Sequence, residues 1–231
     1  MRMNSRIYFI RHGITEGNQR KWFYGAADIP LAQEGFCELE SLTARGIYPE
    51  LPEDADCYTT GLLRTEQTFE LIFGNRQRKV IEALQEMRFG KYECHSYEEL
   101  EGDPEFSAWC WDRSGDAPLS GGETRNAFSA RIGEGLKELL GYHRLKELAH
   151  RHDGKDAVSV IVCHGGVISA VMQEMFPGEK GNMWDWMPQP GFGYCVEFED
   201  GEPAAFVKLA DTAAETSDSS QPGKQKALQK N

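Results

Sequence analysis

The stretch "IYFIRHGITEGN", residues 7–18, runs four apolar residues straight into Arg11, His12 and Gly13. A short apolar run bounded by turn residues reads as a buried strand, here residues 6–11. The Gly-rich loop behind it carries Gly13, Gly17 and Gly25. A strand ending in arginine and histidine presents an anion-binding group and a proton carrier at its carboxyl end. Ligands settle at that end in an open α/β sheet.

Working outward, Pro30 opens a helical pattern, "LAQEGFCELESLTARG", that Gly46 closes. "ADCYTT" (55–60) reads as a second strand leading into the helix "LLRTEQTFELIFG", and "RKVIEAL" (78–84) as a third. Residues 91–120 break this rhythm with Trp109, Trp111, Gly115 and Pro118, and read as an insertion over the end of the sheet. "SGGE" (120–123) has capping-box spacing, which accounts for Glu123 as a helix-start residue; that helix runs to about residue 150. "AVSVIVC" (157–163) is a buried strand ending at a second histidine, His164, ahead of the helical "GGVISAVMQEMF". "YCVEFED" and "AAFVKLA" pair as a hairpin across Gly201.

The predicted fold class is α/β: three layers, α/β/α, with a mainly parallel sheet, an antiparallel edge and a helical and loop insertion over the active site. One domain spans residues 1–211, and 212–231, mostly small or polar and without an aromatic, read as a disordered tail.

Three strand ends thus deliver Arg11 with His12, the segment leading to Arg64, and His164. Guanidinium forks grip phosphate oxygens bidentately, and a histidine near neutral pH serves as nucleophile or proton carrier. This set describes phosphoryl transfer without a metal. His150 and His152 in "AHRHDG" stand two apart, poor helical geometry for a metal, so neither metal nor cofactor is expected.

These residues also match a family. "RHGITEGN" followed by "YGAADIPLAQEG" resembles the opening of the histidine phosphatase superfamily, the phosphoglycerate mutase-like proteins, with the family spacing met at Thr15, Asn18, Gly25, Asp28, Pro30 and Leu31. "TTGLLRTEQTFEL" is similar to the second motif, whose arginine falls on Arg64, and "ALQEMRFGKYE" to the segment whose acidic residue falls on Glu86. "SGGET" and "VIVCHGGVI" complete the order, the latter supplying His164. The resemblance spans roughly residues 6–209. It implies that His12 attacks phosphorus and becomes a phosphohistidine, while Arg11, Arg64 and His164 stabilise the charge on the equatorial oxygens. It further implies that Asn18 adds a neutral donor and that Glu86 protonates the leaving alkoxide and then activates water. Thr15, Gly25 and Gly165 are the remaining candidates for phosphate contact, with Thr15 and Asn18 equally suited to capping the loop.

Within the family, Phe89 stands where mutases carry a tyrosine, the following stretch is acidic and aromatic, and His164 is followed by Gly-Gly. These favour a phosphatase hydrolysing small phosphomonoesters; Arg88 and Lys91 keep a mutase open, and an inactive phosphate-binding module is the third reading. Trp109, Trp111, Trp184, Trp186 and Phe192 fall near the expected ligand end, where they either line its mouth or pack the insertion.

At 231 residues with a formal net charge of -12, the chain offers no basic stripe for nucleic acid or an anionic membrane. Its apolar runs are too short for a signal core or a membrane span. Six cysteines without a CxxC pair fit core packing in a reducing cytoplasm, and Cys163, beside His164, reads as core. Oligomeric state is left open.

Overall fold

The computed structural model describes residues 4–209; the predicted tail, 212–231, lies outside them. In chain order the elements are β1 (Ser5–Arg11), α1 (Glu16–Gln19), β2 (Trp22–Phe23), α2 (Gln33–Ala44), β3 (Asp56–Thr59), α3 (Leu63–Phe73), β4 (Lys79–Val80) and β5 (His95–Ser96). They continue with α4 (Tyr97–Leu100), α5 (Pro104–Trp111), α6 (Arg125–His150), β6 (Ala157–Cys163), α7 (Gly165–Met175), β7 (Gly193–Glu199) and β8 (Glu202–Leu209).

Six strands form one sheet in the order β4-β3-β6-β1-β7-β8. The first four are mutually parallel, and β7 runs antiparallel to both β1 and β8. The antiparallel element is therefore β7, one place in from the edge. β7 and β8 turn at Asp200 and Gly201, both at positive φ (54° and 89°), the backbone that a tight two-residue hairpin requires.

Period-two alternation sorts the two faces. Ile7, Phe9, Ile161 and Cys163 pack with Leu136 and Leu139 of α6 and Val171 of α7. Ile10, Val160 and Val162 pack with Leu39 and Leu42 of α2 and Phe69 of α3. This gives the predicted three layers. "RKVIEAL" departs from expectation, since only Lys79 and Val80 pair at the edge before a 3-10 turn over Glu82–Leu84. Residues 91–120 hold β5, α4 and α5, and bury Phe106 and Trp109 in the α6-side core. No helix of the described residues is long and apolar enough to cross a membrane, and all six cysteines are free.

Beneath α6 a buried polar chain ties the helix to the sheet. His143 Nε2 lies 2.8 Å from Ser5 Oγ, its Nδ1 lies 2.8 Å from Ser159 Oγ, and Ser5 also donates to Glu147. Burial lowers the His143 pKa to about 4, outweighing the opposing charge of Glu147, which Arg144 neutralises from the outer side. The unfolded chain therefore binds a proton that the folded chain refuses, and this contribution to stability is lost as pH falls from the ordinary histidine value toward 4. Between pH 7 and pH 5 the loss from this residue is expected to be about 2 kcal/mol. Urea denaturation of wild type and His143→Gln at both pH values checks it: the variant should show the smaller decline.

Candidate active site

The register of β1 on β6 pairs Arg11 with Cys163. The next residues, His12 and His164, therefore leave the sheet abreast, with ring centroids 5.4 Å apart and planes inclined at 61°. His12 Nδ1 lies 2.7 Å from the Gly13 carbonyl, which can only accept. Nδ1 thus carries the hydrogen, and Nε2 keeps the lone pair. Burial, then the charges of Arg64 and Arg11, hold the His12 pKa well below its ordinary value, so the ring is neutral near pH 7.

His164 is fully buried behind it. Arg64 Nε donates to its Nδ1 at 3.4 Å, and its Nε2 lies 2.9 Å from Thr60 Oγ1, which fixes the opposite tautomer. Burial and the neighbouring Arg64 lower its pKa as well. Cys163, pointing to the other side, is a core residue whose thiol burial pushes strongly up.

Arg64 is fully buried at the start of α3. Its Nη1 and Nη2 donate to the Ala27 and Gly25 carbonyls at 2.8 Å each, and the guanidinium lies 5.0 Å over the Tyr24 ring. Gly25 accordingly positions Arg64, and its side is closed by backbone: a Cβ there would overlap the Met87 carbonyl. Gly165 packs against Arg11, where a Cβ would stand 3.0 Å from Cζ. Thr15, also fully buried, caps α1 and bonds Tyr24 Oη at 2.7 Å, one layer behind the cavity. Its N–H and hydroxyl both donate to Asn18 Oδ1, which leaves the Asn18 amide NH2 for a ligand.

Arg11, His12, Asn18, Glu86 and Gly166 line one cavity of about 390 Å³. Arg11 Nη1 donates to the Pro188 carbonyl, while its Nε is buried without a partner. The Glu86 carboxylate accepts from the Met87 N–H at 3.0 Å and from the Gly166 N–H, in the first turn of α7, at 2.9 Å. The same cavity is lined by Trp22, Phe23, Phe89, Trp109, Phe128 and Trp184. Of the five aromatics singled out in the sequence, Trp109 and Trp184 line this cavity. Trp111 points outward at 78% exposure, Trp186 is fully buried on Phe206 and Tyr194, and Phe192 packs in the α2-side core. Trp109 does both jobs, meeting Phe23, Phe89 and Phe106 through its ring.

Sequence reasoning misassigned Glu123 and missed Arg131. The long helix starts four residues later than the capping box implies, with Thr124 rather than Ser120 as its cap. Glu123 is instead buried, accepting from Arg131 Nε and Nη2 at 2.8 and 2.7 Å and from the Arg88 backbone at 3.0 Å. Burial alone would raise its pKa, but these bonds outweigh it and the carboxylate is held ionised. Arg131 in turn donates to the carbonyls of Ala83, Gln85 and Glu86, clamping the segment that carries Glu86. Glu123→Ala strands the Arg131 charge and is expected to cost about 3 kcal/mol, against about 1 kcal/mol for a lost helix cap. Equilibrium denaturation separates the two.

Arg88 and Lys91, the residues that a mutase reading needs, are paired elsewhere: Arg88 with Glu123, and Lys91 with Glu105 at 2.8 Å. Among the described residues no three His, Cys, Asp or Glu side chains are grouped to hold a metal.

Residues 7–212 match the model of the histidine phosphatase superfamily, branch 1. The chain is 28% identical over 198 residues to an adenosylcobalamin/alpha-ribazole phosphatase of Escherichia coli K12, spanning 83% of this chain and 89% of that one. It is 29% identical over 135 residues to a 2,3-bisphosphoglycerate-dependent phosphoglycerate mutase of Rhizobium etli, across 55% of this chain and 64% of that one. The solved alpha-ribazole phosphatase of Shigella flexneri shares the fold, with a TM-score of 0.74 at 24% identity over 89% of this chain and 96% of that one. Matched over nearly its whole described length, the chain belongs to the histidine phosphatase superfamily, branch 1.

Proposed function

We propose that this protein hydrolyses phosphomonoesters whose leaving alcohol carries a planar aromatic ring, through a phosphohistidine on His12 Nε2. One observation carries the reading: the cavity joins a phosphate grip of Arg11, His12 and Asn18 to a wall of Trp and Phe rings. Stacking on that wall orients an aromatic leaving part, whereas a small, highly charged ester finds few cations there.

In the first step the ester phosphorus moves from the leaving oxygen to Nε2, and Glu86, entering as the acid, gives its proton to the departing alkoxide. The Arg11 side chain and the Asn18 amide hold the transferring oxygens, with the buried charge of Arg64 behind them. In the second step Glu86 takes a proton from water, whose oxygen attacks phosphorus and releases inorganic phosphate and neutral His12. The family's mutase chemistry is disfavoured by the pairing of Arg88 and Lys91 with carboxylates. The six free cysteines support a reducing compartment, the cytoplasm.

Alpha-ribazole phosphate, after which the Escherichia coli relative is named, is the first substrate to try. Its kcat/KM is expected to exceed that of 3-phosphoglycerate by about 100-fold, with turnover surviving exhaustive chelation because arginines supply the charge. Faster turnover of 3-phosphoglycerate, mutase activity with it, or a strict metal requirement would overturn the reading.

A further inference from the structure

Three acceptors aim the buried Arg64 guanidinium, whose charge acts on His12: the Gly25 and Ala27 carbonyls and His164 Nδ1. A carbonyl can only accept, so the first two hold whatever the neighbouring protons do. The third holds only while the His164 hydrogen sits on Nε2 and leaves a lone pair on Nδ1. At 3.4 Å the contact from Arg64 Nε is too long to dictate that choice alone.

A chain of hydroxyls behind the ring dictates it instead, and its direction can be read from the far end. Thr65, in the first turn of α3, donates its hydroxyl hydrogen to the Leu62 carbonyl at 2.7 Å. With that hydrogen committed, Thr60 must be the donor in the 3.3 Å contact between the Thr60 and Thr65 hydroxyls. Thr60 Oγ1, its own single hydrogen now used, can only accept from His164 Nε2 at 2.9 Å. The hydrogen therefore belongs on Nε2. This is the placement that the Arg64 contact requires, reached without reference to Arg64. Thr60, Thr65, Arg64 and His164 are all fully buried, so solvent does not compete for these bonds. Thr60 is also anchored through its backbone, whose carbonyl accepts from the Gln85 side chain at 2.9 Å.

We propose that Thr60 is a positioning residue for phosphoryl transfer: with Thr65 it forms a one-way hydrogen-bond relay that keeps the His164 hydrogen on Nε2, so that Nδ1 stays an acceptor and fixes the direction of the Arg64 guanidinium. The proposal rests on the phosphohistidine reading above and gives the two threonines a part in it. Valine at position 60 keeps the shape but leaves Nε2–H buried without an acceptor, at a cost of about 1–3 kcal/mol. The other tautomer then competes, and it sets Nδ1–H against Arg64 Nε–H, donor to donor. The guanidinium loses its third hold at a place where small displacements are costly in rate.

The test reads the ring directly. In isotopically labelled protein, long-range couplings from the carbon-bound ring hydrogens to the two ring nitrogens show which nitrogen carries the hydrogen. The His164 signals are identified by their loss in His164→Gln. Wild type is expected to show the Nε2–H form alone. Thr60→Val and Thr65→Val should each show both forms in exchange, although the Thr65 hydroxyl reaches the ring only through Thr60. With p-nitrophenyl phosphate, kcat is expected to fall about 10–100-fold in Thr60→Val while KM changes less than about threefold, because the Arg11 grip on the ester is untouched. Thr60→Ser, which returns the hydroxyl, should restore both the single tautomer and the rate. Should Thr60→Val fail to fold, Thr65→Val supplies the same two readings. A merely structural threonine would lower stability and leave one tautomer in the variants, and that result overturns the relay. So does a wild type with the hydrogen on Nδ1, or a changed tautomer with unchanged kcat. Failure of the phosphohistidine reading shows separately, as a wild type that forms no acid-labile adduct while its ring spectra still follow the hydroxyls.

Discussion

His12→Ala is expected to lower kcat/KM for any phosphomonoester by about 10⁴-fold or more, the scale of removing a covalent nucleophile. The expectation rests on atoms. The Gly13 carbonyl occupies Nδ1, so the lone pair sits on Nε2, and burial with Arg64 and Arg11 keeps the ring unprotonated. A histidine whose pKa lies below the ordinary value needs no alkaline pH to act. The acid limb of kcat/KM assigned to this group should therefore fall below pH 6.5, the ordinary histidine value. Rapid acid-free quenching with radiolabelled substrate should trap a base-stable, acid-labile adduct in the wild type and none in the variant. More than a tenth of wild-type activity in His12→Ala, with no adduct in the wild type, would remove the phosphohistidine.

The parts of this site legible in the sequence are those that parallel strands deliver. Apolar runs identify β1 and β6, and once they are parallel neighbours their carboxyl ends must present Arg11, His12 and His164 together. The wall was harder to read because it is made by non-local pairing. Trp22 and Phe23 line the cavity only because β2 pairs with β5, more than seventy residues on, and no local pattern announces that contact. Trp109 and Trp111 illustrate a signal that was available: two residues apart on a helix they face opposite ways, so one of them had to point outward. Glu123 shows the converse. Its spacing from Ser120 suits a capping box, but Thr124 takes the cap, and the carboxylate is claimed by Arg131 two turns along α6. Local pattern and long-range pairing competed there, and a buried bidentate pair with a guanidinium is the stronger interaction.

The same pairing bears on the second large effect, that of Glu86→Gln. Glu86 is held at both oxygens, by the Met87 and Gly166 N–H groups, while Arg131 fixes its backbone carbonyl. A carboxyl so placed beside His12 can hand one proton to the leaving oxygen and recover one from water, and glutamine can do neither. Protonation matters in proportion to the basicity of the alkoxide. For an alkyl ester, Glu86→Gln is expected to slow phosphorylation of His12 by about 10²–10³-fold, the usual worth of a positioned general acid. For p-nitrophenyl phosphate, whose phenolate leaves unaided, the same step should slow by less than about threefold. Steady-state rates would blur the contrast, because loss of the base slows dephosphorylation for both substrates alike. The measurement is therefore a single turnover with enzyme in excess, following release of alcohol or phenol. The substitution also sets a new amide NH2 against one of the two N–H donors, so Glu86→Ala, which removes the clash with the acid, serves as the control. If both variants slow the first step equally for both esters, Glu86 positions the substrate, and the proton must reach the leaving oxygen from another group.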